Sequence, residues 1–185
     1  MDDPVETTEE QEAAFRQAQR EHVQHVQQYL SYLTWELNHR SLIHDDSKTE
    51  EPEFSRFVVA YSKLQESTFG SPEYDANKKA LGVALTHHYE HNRHHPEHFK
   101  AGIEGMTLVD LNEMLADWMA STKRHADGDI FKSIARQEVF YGMPPMLTQI
   151  LINTAKFFQE RDALAVAVNK AVDTVKGKTD GGNDA

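Results

Sequence analysis

The stretch Glu21-His22-Val23-Gln24-His25-Val26-Gln27-Gln28-Tyr29-Leu30-Ser31-Tyr32-Leu33-Thr34-Trp35-Glu36-Leu37-Asn38-His39 decides the fold. Its apolar residues Val23, Val26, Leu30, Leu33 and Leu37 recur three or four apart, which draws one stripe down an α-helix of 3.6 residues per turn. The spacing predicts a long amphipathic helix from about Glu9 to His39. On it, His22 sits one turn before Val26 and close to the stripe, so it is expected to face inward, while His25 is turned well away.

Working outward from this helix, the rest of the chain keeps the same period. A short helix is expected at His44. Pro52 permits a new helix start, and Glu53 to Leu64 places Phe54, Phe57, Val58 and Tyr61 on one side. The segment Thr68-Phe69-Gly70-Ser71-Pro72 reads as a turn with a cap at Ser71. A further helix is expected from Pro72 to His94, faltering near Pro96 because proline disfavours helix in the residue before it. After the loop Ala101-Gly102-Ile103-Glu104-Gly105, another runs from Met106 to about His125. Asp127-Gly128-Asp129 breaks the chain, Ile130 to Phe140 reads helical, and Pro144-Pro145 opens a last long helix toward Val175. No strand, internal repeat or glycine-rich phosphate loop stands out. The expectation is an all-α, single-domain helical bundle over residues 11–175. It is flanked by a disordered acidic N-terminus (1–10) and a disordered C-terminal tail (176–185).

Composition narrows the function. At 185 residues, with 39% hydrophobic residues, two Trp and nine Phe, the chain can fill one core. It has no Cys, which excludes disulfides, thiolate metal sites and cysteine nucleophiles and fits a reducing cytoplasm, that of the host if the gene is carried by a phage. A formal charge of -11 argues against broad nucleic-acid binding and against anionic membranes, because both rest on cationic patches. A small phosphate ester drawn into a local pocket is not excluded. No apolar run approaches the roughly 18 residues of a membrane span. The last helix carries apolar residues around much of its circumference, compatible with burial in the fold or with a homodimer contact.

Seven of the eleven histidines lie in two stretches, His44-Asp45 and the run from His87 to His98. Neutral imidazole and carboxylate are ligands that borderline divalent metals prefer, so the chain reads first as a metal site built from His, Asp and Glu. If the helix before Pro96 stays regular, His88, His91 and His95 share the side of Leu81, Ala84 and Leu85 and face the core, whereas His87, His94 and His98 turn toward solvent or substrate. Each assignment has a plainer alternative. His22 could be a packed histidine, His44-Asp45 a turn or helix cap, and the His88/His91/His95 stripe a solvated face. Asp117 points away from Leu108, Leu111 and Leu115, on a face shared with Asp110, Glu113 and Ser121. That face is either solvated or the polar wall of a site. His39 and His125 are expected at the surface.

These stretches resemble the HD-domain superfamily of metal-dependent phosphohydrolases. Its signature is a His on one helix, a His-Asp dipeptide on the next and a distant Asp on a later one. His22-Val23-Gln24-His25-Val26 resembles the first element. His44-Asp45-Asp46-Ser47-Lys48 resembles the H-D-x-G-K form of the dipeptide, with Ser47 in place of Gly. His87-His88-Tyr89-Glu90, followed by Gly105 and Ala116-Asp117-Trp118-Met119-Ala120, resembles the HD-GYP subgroup. His94-His95-Pro96 stands where G-Y-P would fall, so that subgroup's cyclic-dinucleotide cleavage is not implied. No histidine lies between Lys48 and His87, so the bridging ligand of two-metal members is missing and one metal is expected. The resemblance covers roughly His22 to Ser121. The chain also resembles small uncharacterised bacterial and phage proteins with H-D-x-S-K and H-H-P-E-H-F stretches.

The resemblance implies an HD-like fold and a divalent metal ion (Mn, Fe, Co, Ni, Mg or Zn) on His22, His44, Asp45 and Asp117, with open positions for water and a phosphate oxygen. Lys48, four residues beyond His44, and Arg93 would meet phosphate. Asp46 and Glu90 are candidates for a proton donor or water-positioning base. His91, His94 and His95 are candidate substrate contacts, and His88 a further metal ligand. The expected substrate is a nucleotide or related small phosphate ester. Two alternatives accompany this reading: an HD-type di-iron oxygenase, for which the surplus histidines would supply ligands, and a non-catalytic, metal-stabilised binding module.

Overall fold

The computed structural model of the protein describes residues 6–67, 71–124 and 128–179. Of the ends expected to be disordered, 1–10 and 176–185, residues 1–5 and 180–185 lie outside them, as do the turn residues Thr68, Phe69 and Gly70 and the positions His125 and Asp127; Glu9 and Glu10 and residues 176–179 are helical instead. Seven α-helices and three short 3-10 turns make up the described residues, with no strand among them, so the protein is all-α. None of these helices is long and apolar enough to cross a membrane. The chain divides into two compact units, Met1–Asp46 and Ser47–Ala185.

The first unit is one helix, α1 (Glu9–Ile43). Thr8 caps it: its hydroxyl accepts from the Gln11 amide at 3.2 Å, and the Gln11 side chain accepts from the Thr8 amide at 2.9 Å. This reciprocal pair satisfies two backbone donors that no helix turn can reach. Glu9, Glu10 and Glu12 in the first turn and Arg40 in the last complement the helix dipole. No residue of α1 is buried. The helix ends at His44, and Asp45 follows with a φ of 61°, a left-handed conformation that Asp tolerates better than most side chains do.

The second unit holds α2 (Phe54–Glu66), α3 (Pro72–Lys79), α4 (Val83–His91), α5 (Leu108–Thr122), α6 (Ile130–Tyr141) and α7 (Pro145–Thr179). Ser71 caps α3 as expected, accepting from the Tyr74 amide at 3.1 Å. The single helix expected over Pro72 to His94 is two. Gly82, at φ 56°, turns the chain between α3 and α4, and α4 stops at His91, five residues short of Pro96. The stop is local: the Asn92 side-chain amide donates back to the His88 carbonyl at 2.8 Å, and Asn92 itself is extended. Helical-wheel reasoning therefore fails for everything after His91. At the other end, α7 continues past Val175 to Thr179.

The core sits where α5, α6 and α7 meet. Met114 and Leu115 from α5, Ile130 and Ile134 from α6, and Leu151 and Ala155 from α7 are all buried there, joined by Ile103 and Met143. Two caps set the angles of entry. Asp129 accepts from the Phe131 and Lys132 amides at the start of α6, and Gly142, left-handed at φ 61°, closes its end. Beside this apolar core the unit buries an uncommon set of polar groups: Glu53, His88, Asn92, His94 and Asp110.

Candidate metal centre

Glu53 occupies the N-cap position of α2, yet its side chain does not cap the helix. It is fully buried instead. Its two carboxylate oxygens lie 2.7 Å from Nδ1 of His87 and 2.9 Å from Nδ1 of His88, consecutive residues on α4. Burial pushes the Glu53 carboxyl up, but hydrogen bonds from His87, Ser47 and His88 and the electrostatic attraction of the His88 ring outweigh that and hold it below the usual carboxylate range. Glu53 is thus a buried anion that accepts from two imidazoles.

That anion sets the tautomer of His88. The Asn92 amide nitrogen also approaches His88 Nδ1, at 3.0 Å. Its two protons have better acceptors in the His88 carbonyl at 2.8 Å and the Ser47 hydroxyl at 2.7 Å. The Nδ1 proton therefore points to Glu53, which leaves the lone pair on Nε2. That atom lies 2.9 Å from Nε2 of His95. A carboxylate behind an imidazole, fixing its ring and raising its basicity, is the usual support of a metal-binding histidine.

His95 and His94 complete the cluster. Nitrogen atoms of His88, His94 and His95 lie within 4.8 Å of one another, so the three could hold a metal ion. Burial, together with His94, His88, Lys48 and Lys78, holds His95 well below the usual imidazole range, so it stays neutral and its lone pair remains able to bind a cation. Two imidazoles bound side by side at about 2.1 Å stand roughly 3 Å apart in octahedral geometry, close to the His88–His95 separation. His94 Nδ1 is 3.2 Å from a Glu113 carboxylate oxygen on α5. The donor set suits a borderline divalent ion.

A second polar device holds the backbone of this stretch. Asp110 on α5 is fully buried and accepts from Arg93 Nε and Nη2 at 3.0 and 3.2 Å and from the Thr107 amide and hydroxyl at 2.8 and 2.7 Å. The paired Arg–carboxylate fork anchors Arg93, the residue immediately before His94. Asp110, Glu113 and Asp117 follow one another at helical spacing, and the first two reach the histidine stretch. This face of α5 is a polar wall rather than a solvated surface. Asp117 is half-buried, and its charge acts on the half-buried Tyr74 phenol, whose pKa is raised chiefly by burial.

The expected site residues fall in different places. His88, His94 and His95 come together, although His94 was expected to face solvent or substrate. It is buried because the chain leaves the helical path at Asn92. His91, expected to face the core, is exposed; its ring stacks on His87 at 3.9 Å and its Nδ1 meets the His87 carbonyl at 2.8 Å. His22, expected to face inward, is exposed on α1. In the first unit His44 Nε2 stands 3.6 Å from Asp45 Oδ2, both half-buried. Asp46 and Glu90 are exposed. Lys48 lies over the Phe57 ring at 5.1 Å, and two donors of Arg93 are engaged by Asp110. The sequence reading missed Glu53, Asn92, Ser47 and Lys78, the last lying over the Tyr89 ring at 5.6 Å. A Glu after Pro at a helix start looks like a surface cap, so only its convergence with His87 and His88 reveals it.

No curated protein and no solved structure matches the chain. Residues 11–157 match a family described as of unknown function, DUF5662. That match spans most of the chain, from α1 into α7, and includes every group of the histidine cluster. The protein belongs to the DUF5662 family.

Proposed function

We propose that the protein is a metal-dependent phosphohydrolase acting on a nucleotide or a related small phosphate ester. The observation that carries this reading is His88, held by the buried Glu53 carboxylate with its lone-pair nitrogen turned toward His95. Together with His94, these residues form the ligand set. The resemblance of the sequence to HD-domain proteins is what implies His22, His44, Asp45 and Asp117 as ligands; of these, Asp117 belongs to the same unit as the histidine cluster. A bound divalent ion would lower the pKa of a coordinated water and neutralise charge developing on a phosphoryl group.

The chain's own residues supply the rest. Lys48 and Lys78 both act electrostatically on His95, and a phosphate oxygen near the cluster would meet their ammonium groups. Asp46 and Glu90, both exposed, can exchange a proton with solvent and so serve as base or acid. Arg93, tied to Asp110, positions His94 and His95 more than it contacts substrate.

The test is a nucleotide and phosphate-ester panel with the metal-loaded protein. Phosphate release that needs added Mn, Co, Fe, Ni, Mg or Zn and is abolished in His88→Ala supports the reading. No release with any of these metals sinks it. A second reading, the di-iron oxygenase, is favoured by one observation: Glu53 backs His87 as well as His88, which gives more supported imidazoles than one centre needs. Two irons per chain with oxygen consumption would select it. A metal that raises the melting temperature without any turnover would select the non-catalytic module.

A further inference from the structure

A second pair of histidines stands on α4, apart from the buried cluster. His87 and His91 are four residues apart on a helix that runs from Val83 to His91, so they lie one above the other on the same face. Their rings stack nearly parallel, with centroids 3.9 Å apart and planes 17° from each other. His88 projects about 100° away from His87 around the helix, and it is His88 that joins His94 and His95.

Hydrogen bonds fix the tautomer of both rings. Nδ1 of His87 lies 2.7 Å from an oxygen of the Glu53 carboxylate. An ionised carboxylate only accepts, so the neutral ring carries its proton on Nδ1. Nδ1 of His91 lies 2.8 Å from the His87 carbonyl, which also only accepts. Each neutral ring therefore keeps its lone pair on Nε2. The carboxylate behind His87 raises the basicity of that donor.

Two Nε2 donors four residues apart on a helix form a bidentate chelate, the spacing at which helix-borne histidine pairs hold zinc. A tetrahedral zinc ion about 2.0 Å from each nitrogen keeps the two donors roughly 3.3 Å apart. Side chains on adjacent helical turns reach that separation by rotating, without movement of the backbone. We propose that His87 and His91 form a second divalent-metal site, separate from the centre of His88, His94 and His95. Two imidazole nitrogens, with the other positions filled by water, suit the borderline ions Zn(II), Ni(II) and Cu(II), and Cu(II) binds such donors tightest. The site does not depend on the phosphohydrolase reading.

Calorimetric titration of the metal-free full chain with Cu(II) tests it, and the chain has no cysteine to reduce or capture the ion. His91→Ala removes one arm of the pair from an exposed position, and circular dichroism checks that its helical content is kept. His95→Ala removes an inner ligand whose hydrogen bond is to His88. The unvaried protein is expected to bind one more Cu(II) per chain than His91→Ala. His87→Ala is expected to lose that same ion, and combining it with His91→Ala to lose no further one, because a chelate needs both arms. His95→Ala is expected to keep it. Titrations of the unvaried protein and His91→Ala that agree in stoichiometry and affinity overturn the proposal. So does a further ion lost when the two outer variants are combined, since each histidine would then bind alone. A titration changed by His91→Ala but not by His95→Ala upholds this site and counts against the inner centre, so the two readings fail separately.

Discussion

Nδ1 of His88 lies 2.9 Å from a carboxylate oxygen of Glu53, so a residue at the head of α2 determines which nitrogen of a histidine on α4 carries the lone pair. The carboxylate is fully buried and shared with His87. Replacing it with an amide keeps the shape and removes the charge that holds the tautomer. Glu53→Gln is expected to weaken binding of a divalent metal by about 10- to 100-fold, the usual effect of losing such a support. Calorimetric titration of the metal-free protein measures it, and an affinity equal to that of the unvaried protein would mean the carboxylate does not set the tautomer.

Asp110 is the other buried anion, and its role is to hold rather than to tune. It accepts four hydrogen bonds, two from Arg93 and two from Thr107. Asp110→Ala strands those donors, but the Arg93 side chain is 45% exposed and water takes up part of what it loses, so the cost is expected to be about 1–3 kcal/mol. Arg93→Ala should cost more, about 3–5 kcal/mol, because it leaves the fully buried Asp110 carboxylate without its cation. Chemical denaturation of the two variants checks the order as well as the size. Equal losses would count against the burial argument.

Much of the fold was legible because hydrophobic period is a local property. The stripe on α1, the cap at Ser71 and the start of α7 at Pro145 all follow from neighbours in sequence. The candidate site was legible only in its composition. Its geometry depends on where α4 stops, and that is decided by the Asn92 side chain reaching back to the His88 carbonyl. One residue of error there exchanges the faces of His91 and His94. Glu53 could not be found at all from its own neighbourhood, since its partners are 34 and 35 positions away.

The break between α3 and α4 gives a test of backbone control. Gly82 has φ 56° and ψ -122°, a region that residues with a Cβ rarely occupy. A Cβ added there would meet Arg56 Nη1 at 3.6 Å, an ordinary contact, so no clash complicates the result. Gly82→Ala is expected to destabilise the protein by about 1–3 kcal/mol through conformation alone. A thermal or denaturant midpoint that does not move would show that α3 and α4 tolerate a continuous helix.

Tyr141 gives a prediction at alkaline pH. Its hydroxyl donates to the Glu97 carboxylate at 3.1 and 3.2 Å, tying α6 to the 3-10 turn Pro96–His98 that follows the histidine pair. Burial, then the charge and hydrogen bond of Glu97, then Tyr89, all raise the Tyr141 pKa above the ordinary phenol value of 10.0. The neutral form is the one the fold prefers. A pKa raised in the folded state means that Tyr141 contributes its full stabilisation below the unfolded value. The contribution is lost as pH climbs from that value through the folded one. Titrating phenolate absorbance in the unvaried protein and in Tyr141→Phe isolates this group by difference. Its ionisation is expected to begin only well above pH 10, or together with unfolding, and the stability gap between the two proteins should narrow over the same range. A difference spectrum complete by about pH 10, the unperturbed phenol value, would show that the Glu97 carboxylate does not hold the proton, and with it that α6 does not anchor the histidine turn through this bond.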